Sequence, residues 1–400
     1  MLSKFHRIGI VPAAILGLLV VACSTAPIEP APTPTAPPAA GDKPPAPISP
    51  SDAAASPQAP RNGFAALFRP RARWIAADWL DLPGWYDDRS AELWPALLRG
   101  CERSPPEWLQ VCSDARKTPP PPSDNAIRGW LQQRLQPYRV EALEGMGDGP
   151  GLITGYFEPL VEASRVSRGA FRVPLYRPPA DLATRKPYWT RQQIDTLPAA
   201  RAALRGRELA YVADPLDALI VQIQGSGRLQ ITEADGRRKL VRLAYAGHND
   251  QPYKSVGKWL IEQGELRLEQ ASWPAIKAWA QKNPGRVNEL LWSNPRVVFF
   301  QEQPLRDAEL GPNGSQGVPL TPGRSIAVDP QSIPYGSAVW LDTTEPLTSA
   351  PLRRVVMAQD SGSAISGAVR ADYFWGWGAE AEQQAGRMKQ PLRLWVLWPK

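Results

Sequence analysis

Histidine is nearly absent from this 400-residue chain, with His6 and His248 the only two. A His-rich zinc site is thereby excluded, and a Ser-His-Asp triad could draw only on His248, in the turn-like AGHND. Cysteine is also scarce, at Cys23, Cys101 and Cys112. No G-x-x-x-x-G-K-[ST] loop is present. The glycine cluster GMGDGPG, Gly145 to Gly151, feeds a strand pattern instead of opening a helix, so a tight loop fits it better than a dinucleotide site. The net charge is +7, yet no Lys/Arg run of the kind used on nucleic acid occurs. That excess suits an anionic polymer or a membrane surface, or simply aids solubility. No repeat with a period of about 20–50 residues argues for a solenoid or propeller. What these absences leave is carboxylate chemistry, with neither metal nor cofactor required.

The start of the chain carries an export signal. Lys4 and Arg7 precede an apolar run from Ile8 to Ala22, 15 residues long, which suits a signal-peptide core and is short for a spanning helix. Val20-Val21-Ala22-Cys23 sets a small residue directly before a cysteine and is similar to a bacterial lipobox, whose cysteine is acylated after cleavage. An ordinary signal peptide with an incidental cysteine is the alternative. We read 1–22 as signal peptide and Cys23 as the lipidation site. Ser24, where an aspartate would favour inner-membrane retention, points to anchoring in the outer membrane of a Gram-negative bacterium, facing the periplasm. Residues 23–62 are rich in proline and alanine, have no apolar periodicity, and read as a semi-rigid tether. At about 3.1 Å per residue it reaches on the order of 100 Å, which implies a target standing off from the membrane, such as the periplasmic wall. Without Cys23, Cys101 and Cys112 remain as an even pair in an exported protein, compatible with a local disulfide or with two buried thiols.

Ordered chain is expected from near Phe64, and the length permits two domains. AELWPALLRG and SDNAIRGWLQQRL have helical spacing, the second behind Ser123 and Asp124 as caps. LITGYFEPLVEAS, ELAYVADPLDALIVQIQGSGRLQI and RKLVRLAYAG read as strands broken by Gly, Pro and Asp. Helical signals follow in KSVGKWLIEQGEL, WPAIKAWAQKN and RVNELLW. Strand signals return in RVVFFQEQ, SIAVDP, SAVWLDT, RRVVMAQD and LRLWVLW. The pattern is mainly β with helices and suggests barrels over a parallel α/β sheet. The 16 tryptophans hint at sugar stacking, but Trp94, Trp130 and Trp279 sit at helical core spacing, where they pack.

Three aspartates stand out: Asp329 in SIAVDPQSIPYGS, Asp360 in VVMAQDSGSAISG and Asp372 in VRADYFWGWG. An apolar strand leads into Asp360, and small residues after it allow close approach of backbone or ligand. Asp372 precedes Tyr373, Phe374 and Trp375, an available apolar wall. Burial and a like charge both raise a carboxyl pKa, which lets an aspartic acid stay protonated for general-acid work. Each aspartate alone reads as a turn or cap residue; together they point to a site.

Several ordered blocks then resemble one family. TGYFEP (Thr154–Pro159), VQIQGSG (Val221–Gly227), YAGHNDQPYKSVG (Tyr245–Gly257), NPRVVFF (Asn294–Phe300), GPNGSQGVPLTPGRSIAVDP, IPYGS and AQDSGSAISGAVRADYFWGWG are similar to the membrane-bound lytic murein transglycosylase A family, over about Trp74 to the C-terminus. The last block resembles its three-aspartate (3D) domain. One departure is AQDSGSAI where the family commonly has AQDTGGAI; Ser361 and Ser363 remain small.

The resemblance implies a double-psi β-barrel domain built from 63–157 and 299–400, with the 3D segment at 319–400. A smaller β-rich domain, 158–298, is inserted to form a groove for peptidoglycan glycan strands. It implies an exotransglycosylase-type lyase that cleaves the β-1,4 bond between N-acetylmuramic acid and N-acetylglucosamine without water and closes a 1,6-anhydro ring. Asp372 is implied as acid and then base, Asp360 as the second catalytic residue, which tunes it or orders the loop, and Asp329 as structural. Thr154, Tyr156, Glu158, Gln224, Ser226, Tyr245, Gly362 and Tyr373 are the expected substrate-binding residues; the groove-lining ones could equally support the fold. Unidentified wall-synthesis or wall-turnover proteins are possible partners. A hydrolytic muramidase, which would want two working carboxylates, and a non-catalytic peptidoglycan-binding lipoprotein are the alternatives.

Overall fold

The structure, a computed structural model, describes residues 65–143, 151–305 and 307–400. The signal peptide, Cys23, the tether and most of the Gly145–Gly151 cluster lie outside the described residues. Fifteen strands form two sheets. The first strands are β1 (Leu67–Arg69), β2 (Ala72–Ala76), β3 (Leu135–Ala142) and β4 (Gly151–Glu158). Next come β5 (Leu160–Ser164), β6 (Val173–Tyr176), β7 (Glu208–Val212), β8 (Gly227–Thr232), β9 (Arg238–His248) and β10 (Val298–Pro304). The last are β11 (Ser325–Val328), β12 (Ala338–Thr344), β13 (Pro351–Asp360), β14 (Arg370–Trp377) and β15 (Lys389–Pro399).

The larger sheet runs β1-β2-β3-β15-β12-β13-β11-β14-β4, and β15 also pairs with β4. Six strands, β4 and β11 to β15, therefore form a closed ring, and closure leaves those strands without free edges. Two pairings in the ring are parallel, β11 with β13 and β14 with β4; the other four are antiparallel. Strands such as β12, whose AVWLD is buried throughout, read as continuous apolar runs because both faces are covered. The N-terminal helices Trp94–Gly100, Leu109–Lys117 and Asp124–Arg134 pack on this core with Trp74, Trp85, Trp108 and Trp340, each fully buried. Ser123 caps the third of these helices by accepting from Ala126 N, and Asp124, already inside it, accepts from Ala91 N at 2.8 Å. Cys101 and Cys112 form a disulfide between the first two helices, with Cα atoms 5.3 Å apart. Arg324, at the start of β11, is fully buried and pairs with Asp88 and Glu92 at 3.0 Å each, fastening the N-terminal segment to the ring.

The smaller sheet runs β10-β9-β8-β5-β7-β6. Because β10 pairs with β9 along its whole length, the boundary expected at 298/299 falls inside a strand that belongs to this second sheet. A second correction concerns PLDALIVQIQ, read as strand: Pro215–Gln224 is a helix. Asp214 caps it by accepting from Leu216 N, Pro215 opens it, and Gly225 ends it in the left-handed region at φ +77°. Its apolar residues serve two clusters, Leu219 and Ile220 facing other helices and Ala218 and Val221 facing the sheet, which explains a run without polar alternation. Among the described residues no helix is long and apolar enough to cross a membrane.

Candidate active site

Strand register brings two carboxylates to one place. β11 lies between β13 and β14, and Ala327 is in register with Asp360 on one side and Asp372 on the other. The two aspartates are thus two strand spacings apart, about 10 Å between Cα atoms, with only a methyl group between them. They lie in the floor of a groove of about 800 Å³, whose other wall comes from β9, β10 and the end of helix Pro215–Gln224.

Asp372 is held through a short relay. Arg370, two residues earlier on β14, donates from Nη2 to Thr154 Oγ1 at 2.9 Å, and Thr154 donates to Asp372 Oδ1 at 2.5 Å. Thr154 is its register partner across the parallel β4–β14 pairing. Burial pushes the Asp372 carboxyl up from 3.8 to about 6; the Thr154 bond and the Arg370 charge pull it back, and the charge on Asp360 adds a smaller push upward. Phe374, also two residues along, is fully buried against Tyr156, with ring centroids 5.2 Å apart.

Asp360 is differently placed. Its Oδ1 accepts from Ser315 N and Oγ at 2.9 Å each and from Ser361 N at 2.8 Å, and its Oδ2 accepts from Tyr156 OH at 3.1 Å. Burial raises its pKa while these four donors counteract the rise. Asp329 lies outside the groove lining. It is buried and accepts from Arg71 Nη1 at 3.1 Å and from Gly367 N and Gln331 N at 2.9 Å, tying the loop after Asp360 to the β1–β2 turn.

Of the other expected residues, Tyr156, Gln224, Ser226, Tyr245 and Gly362 line the groove, and Thr154 reaches it through Asp372. Gln224 and Ser226 flank the left-handed Gly225, and Gln224 Oε1 accepts from Phe157 N at 3.2 Å. Two expectations need correction. Tyr373 points to the opposite face of β14 from Asp372, as strand alternation requires; its OH donates to Gly323 O and accepts from Arg354 Nη1, each at 2.9 Å. Glu158 is fully buried, with Oε2 2.7 Å from Arg228 Nε and Oε1 2.5 Å from Arg242 Nε, so it ties the end of β4 to β8 and β9 and does not face the groove. Reading the sequence missed Ser315, Arg370 and Arg296. Arg370 was findable, because it shares the period-2 face of Asp372; the other two come from loops remote in sequence.

Among the described residues no group of three or more His, Cys, Asp or Glu stands where it could hold a metal ion. A buried carboxyl pushed up to about 6, in an open groove lined by hydroxyls and amides, has the setting of a general-acid candidate beside a polar ligand. Two family models match in order: the MltA specific insert domain over 152–301 and the 3D domain over 324–398. Membrane-bound lytic murein transglycosylase A of Escherichia coli strain K12 is 33% identical over 287 residues, covering 68% of this chain and 74% of that one. Among solved structures, the lytic transglycosylase LtgG of Burkholderia pseudomallei is 45% identical, covering 84% of this chain and 99% of that one with a TM-score of 0.58. E. coli MltA with bound chitohexaose is 27% identical, covering 84% and 94%, with a TM-score of 0.62. The chain belongs to the membrane-bound lytic murein transglycosylase A family and is a lytic transglycosylase.

Proposed function

We propose that this chain cleaves the β-1,4 bond between N-acetylmuramic acid and N-acetylglucosamine in peptidoglycan without water, with Asp372 as the single acid and base. The observation that carries this reading is the unequal state of the two carboxyls. Asp372 holds its proton up to about pH 6, whereas both oxygens of Asp360 are already engaged by donors. A hydrolase of the usual kind needs a second working carboxylate to activate water or attack carbon; Asp360 is committed to holding Ser315, Ser361 and Tyr156.

In the proposed reaction Asp372 gives its proton to the glycosidic oxygen as the C1–O bond breaks. The resulting carboxylate then takes the proton of the muramoyl C6 hydroxyl, whose oxygen attacks C1 and closes the 1,6-anhydro ring. No atom is gained or lost, and Asp372 ends protonated. Tyr156, Gln224, Ser226, Tyr245 and Gly362 contact the sugars, and Asp360 shapes the floor. The chitohexaose bound to the E. coli relative supports a glycan in this groove.

The same reading gives the six-stranded ring the double-psi topology, supported by its two parallel pairings, and places the inserted domain between Glu158 and the end of β10. It also anchors the chain in the outer membrane through Cys23, in keeping with relatives named membrane-bound. The test is mass spectrometry of digested wall. Products one water lighter and lacking a reducing end are expected, and reducing ends alone would overturn the reading. Asp372→Asn is expected to lose at least about 10²-fold in turnover while keeping its fold by circular dichroism; near-normal turnover would refute the assignment.

A further inference from the structure

Among the described residues that line the groove, Arg296 is the only lysine or arginine. It stands just before β10, where Nε donates to Gln251 O at 2.8 Å and Nη1 donates to Ser363 Oγ at 3.0 Å. It thereby joins the wall formed by the second sheet to the loop that follows Asp360. Both acceptors are neutral, and among the described residues no Asp or Glu oxygen lies within 4.0 Å of it. Its charge is therefore held in place but not neutralised. Tyr245, His248 and Tyr253, which also line the groove, lie in its field: burial raises the two tyrosines and lowers His248, and the Arg296 charge opposes the rise of the tyrosines and adds to the fall of the histidine. His248 Nδ1 accepts from Asp250 N at 2.8 Å, so the proton of the neutral ring sits on Nε2 as a further donor.

A groove floored by Asp360 and Asp372 disfavours anions at the reaction centre, while its opposite wall offers a guanidinium that is fixed by two neutral acceptors and has no carboxylate partner among the described residues, which suits it to an acidic group. The glycan of the proposed reaction alternates a neutral sugar with one bearing a lactyl group, which ends either in a free carboxylate or in a peptide stem with carboxylates of its own. Two nearly identical sugars can present C1 to Asp372, and only one bond is to be cut.

We propose that Arg296, with His248, Tyr245 and Tyr253, forms a carboxylate-binding subsite that sets the register of the strand by holding the acidic substituent of alternate sugars. This rests on the reading of the groove as a peptidoglycan site and adds the residue that selects which sugar faces Asp372.

The test measures binding by calorimetry in an Asp372→Asn background, with Arg296 intact, Arg296→Gln or Arg296→Lys. Three probes are used: neutral chitohexaose, glycan stripped of peptides and bearing lactyl carboxylates, and peptide-bearing glycan. Arg296→Gln is expected to weaken acidic glycan by about tenfold, the scale of one charge-assisted hydrogen bond, and chitohexaose by less than about twofold. Arg296→Lys recovers part of the loss, and rising salt shrinks the contrast. Loss on stripped glycan assigns the lactyl carboxylate; loss confined to peptide-bearing glycan assigns the stem. Equal loss on all three probes, or none, overturns the subsite. If Arg296→Gln does not fold, Arg296→Lys and the salt dependence of the unsubstituted groove decide in the same way. Continued cleavage by the Asp372→Asn background would count against the catalytic assignment alone, because the comparison of neutral with acidic probes is independent of it.

Discussion

Thr154 receives a hydrogen bond from Arg370, which can only donate, so its own proton is left for Asp372 Oδ1. That bond favours the charged carboxylate, and replacing Thr154 with valine, close in shape, removes it. The protonated form then persists to higher pH. We expect kcat/KM for wall digestion to fall as pH rises through about 6 in the unaltered enzyme, and the falling limb of Thr154→Val to lie on the order of one pH unit higher. The same raised pKa acts on stability. Ionising Asp372 costs more in the folded chain than in the unfolded one, so the contribution is neutral below 3.8 and unfavourable above about 6. Asp372→Asn should therefore be the more heat-resistant protein at pH 7, by on the order of 2 kcal/mol, with the gap closing near pH 4 in thermal melts. At this scale the sequence was partly legible. The scarcity of histidine pointed to carboxylates, and the family resemblance gave Asp372 and Asp360 different expected roles. Ser315 and Arg296 were out of reach, since only folding brings residues 45 and 67 positions away to Asp360 and Ser363. Ser363, one of the departures from the family pattern, supplies the oxygen that accepts from Arg296; a glycine there has none.

Helix Pro215–Gln224 shows how a correct set of local signals can be outvoted by hydrophobicity. Asp-Pro at its start and Gly at its end are helix boundaries, yet the apolar run between them reads as a buried strand until both of its packing surfaces are known. Gly225 closes that helix in the left-handed region with open space around its Cα. Gly225→Ala meets no neighbour, so its cost is conformational, about 1 kcal/mol by urea unfolding. Any excess loss of turnover would report displacement of Gln224 and Ser226. At the end of β4, Glu158 is, among the described residues, the single carboxylate shared by Arg228 and Arg242. Glu158→Gln leaves both buried guanidinium groups short of charge, and we expect a loss of about 3 kcal/mol in the urea midpoint analysis. The residue reads as a groove contact from TGYFEP because Thr154, Tyr156 and Glu158 share one face of the strand. The arginines that cover the third come from β8 and β9, which the local pattern does not reveal.

For the whole molecule, composition and patterning conveyed a β-rich chain with helices, and the family resemblance implied an insertion between two halves, but neither told which strands meet. Pairings such as β4 with β14 join residues more than two hundred positions apart, and no local preference encodes them. The domain boundary expected at 298/299 divides VVFF, which is apolar enough for either core; pairing with β9 joins Val298–Pro304 to the second sheet. The closed ring has a further consequence in time. β5 to β10 fall in one continuous stretch, so the second sheet has all its strands once Pro304 has been made. The ring, by contrast, needs β15 to bridge β4 and β12, and β3 docks on that same strand. Until Lys389–Pro399 are available, β4 has no antiparallel neighbour and the floor carrying Asp372 has no closed frame. Long-range closure of this kind comes late and slowly. A growing or partly unfolded chain can thus hold every strand of the second sheet while the frame around Asp372 still stands open, so that the groove floor is framed only with β15.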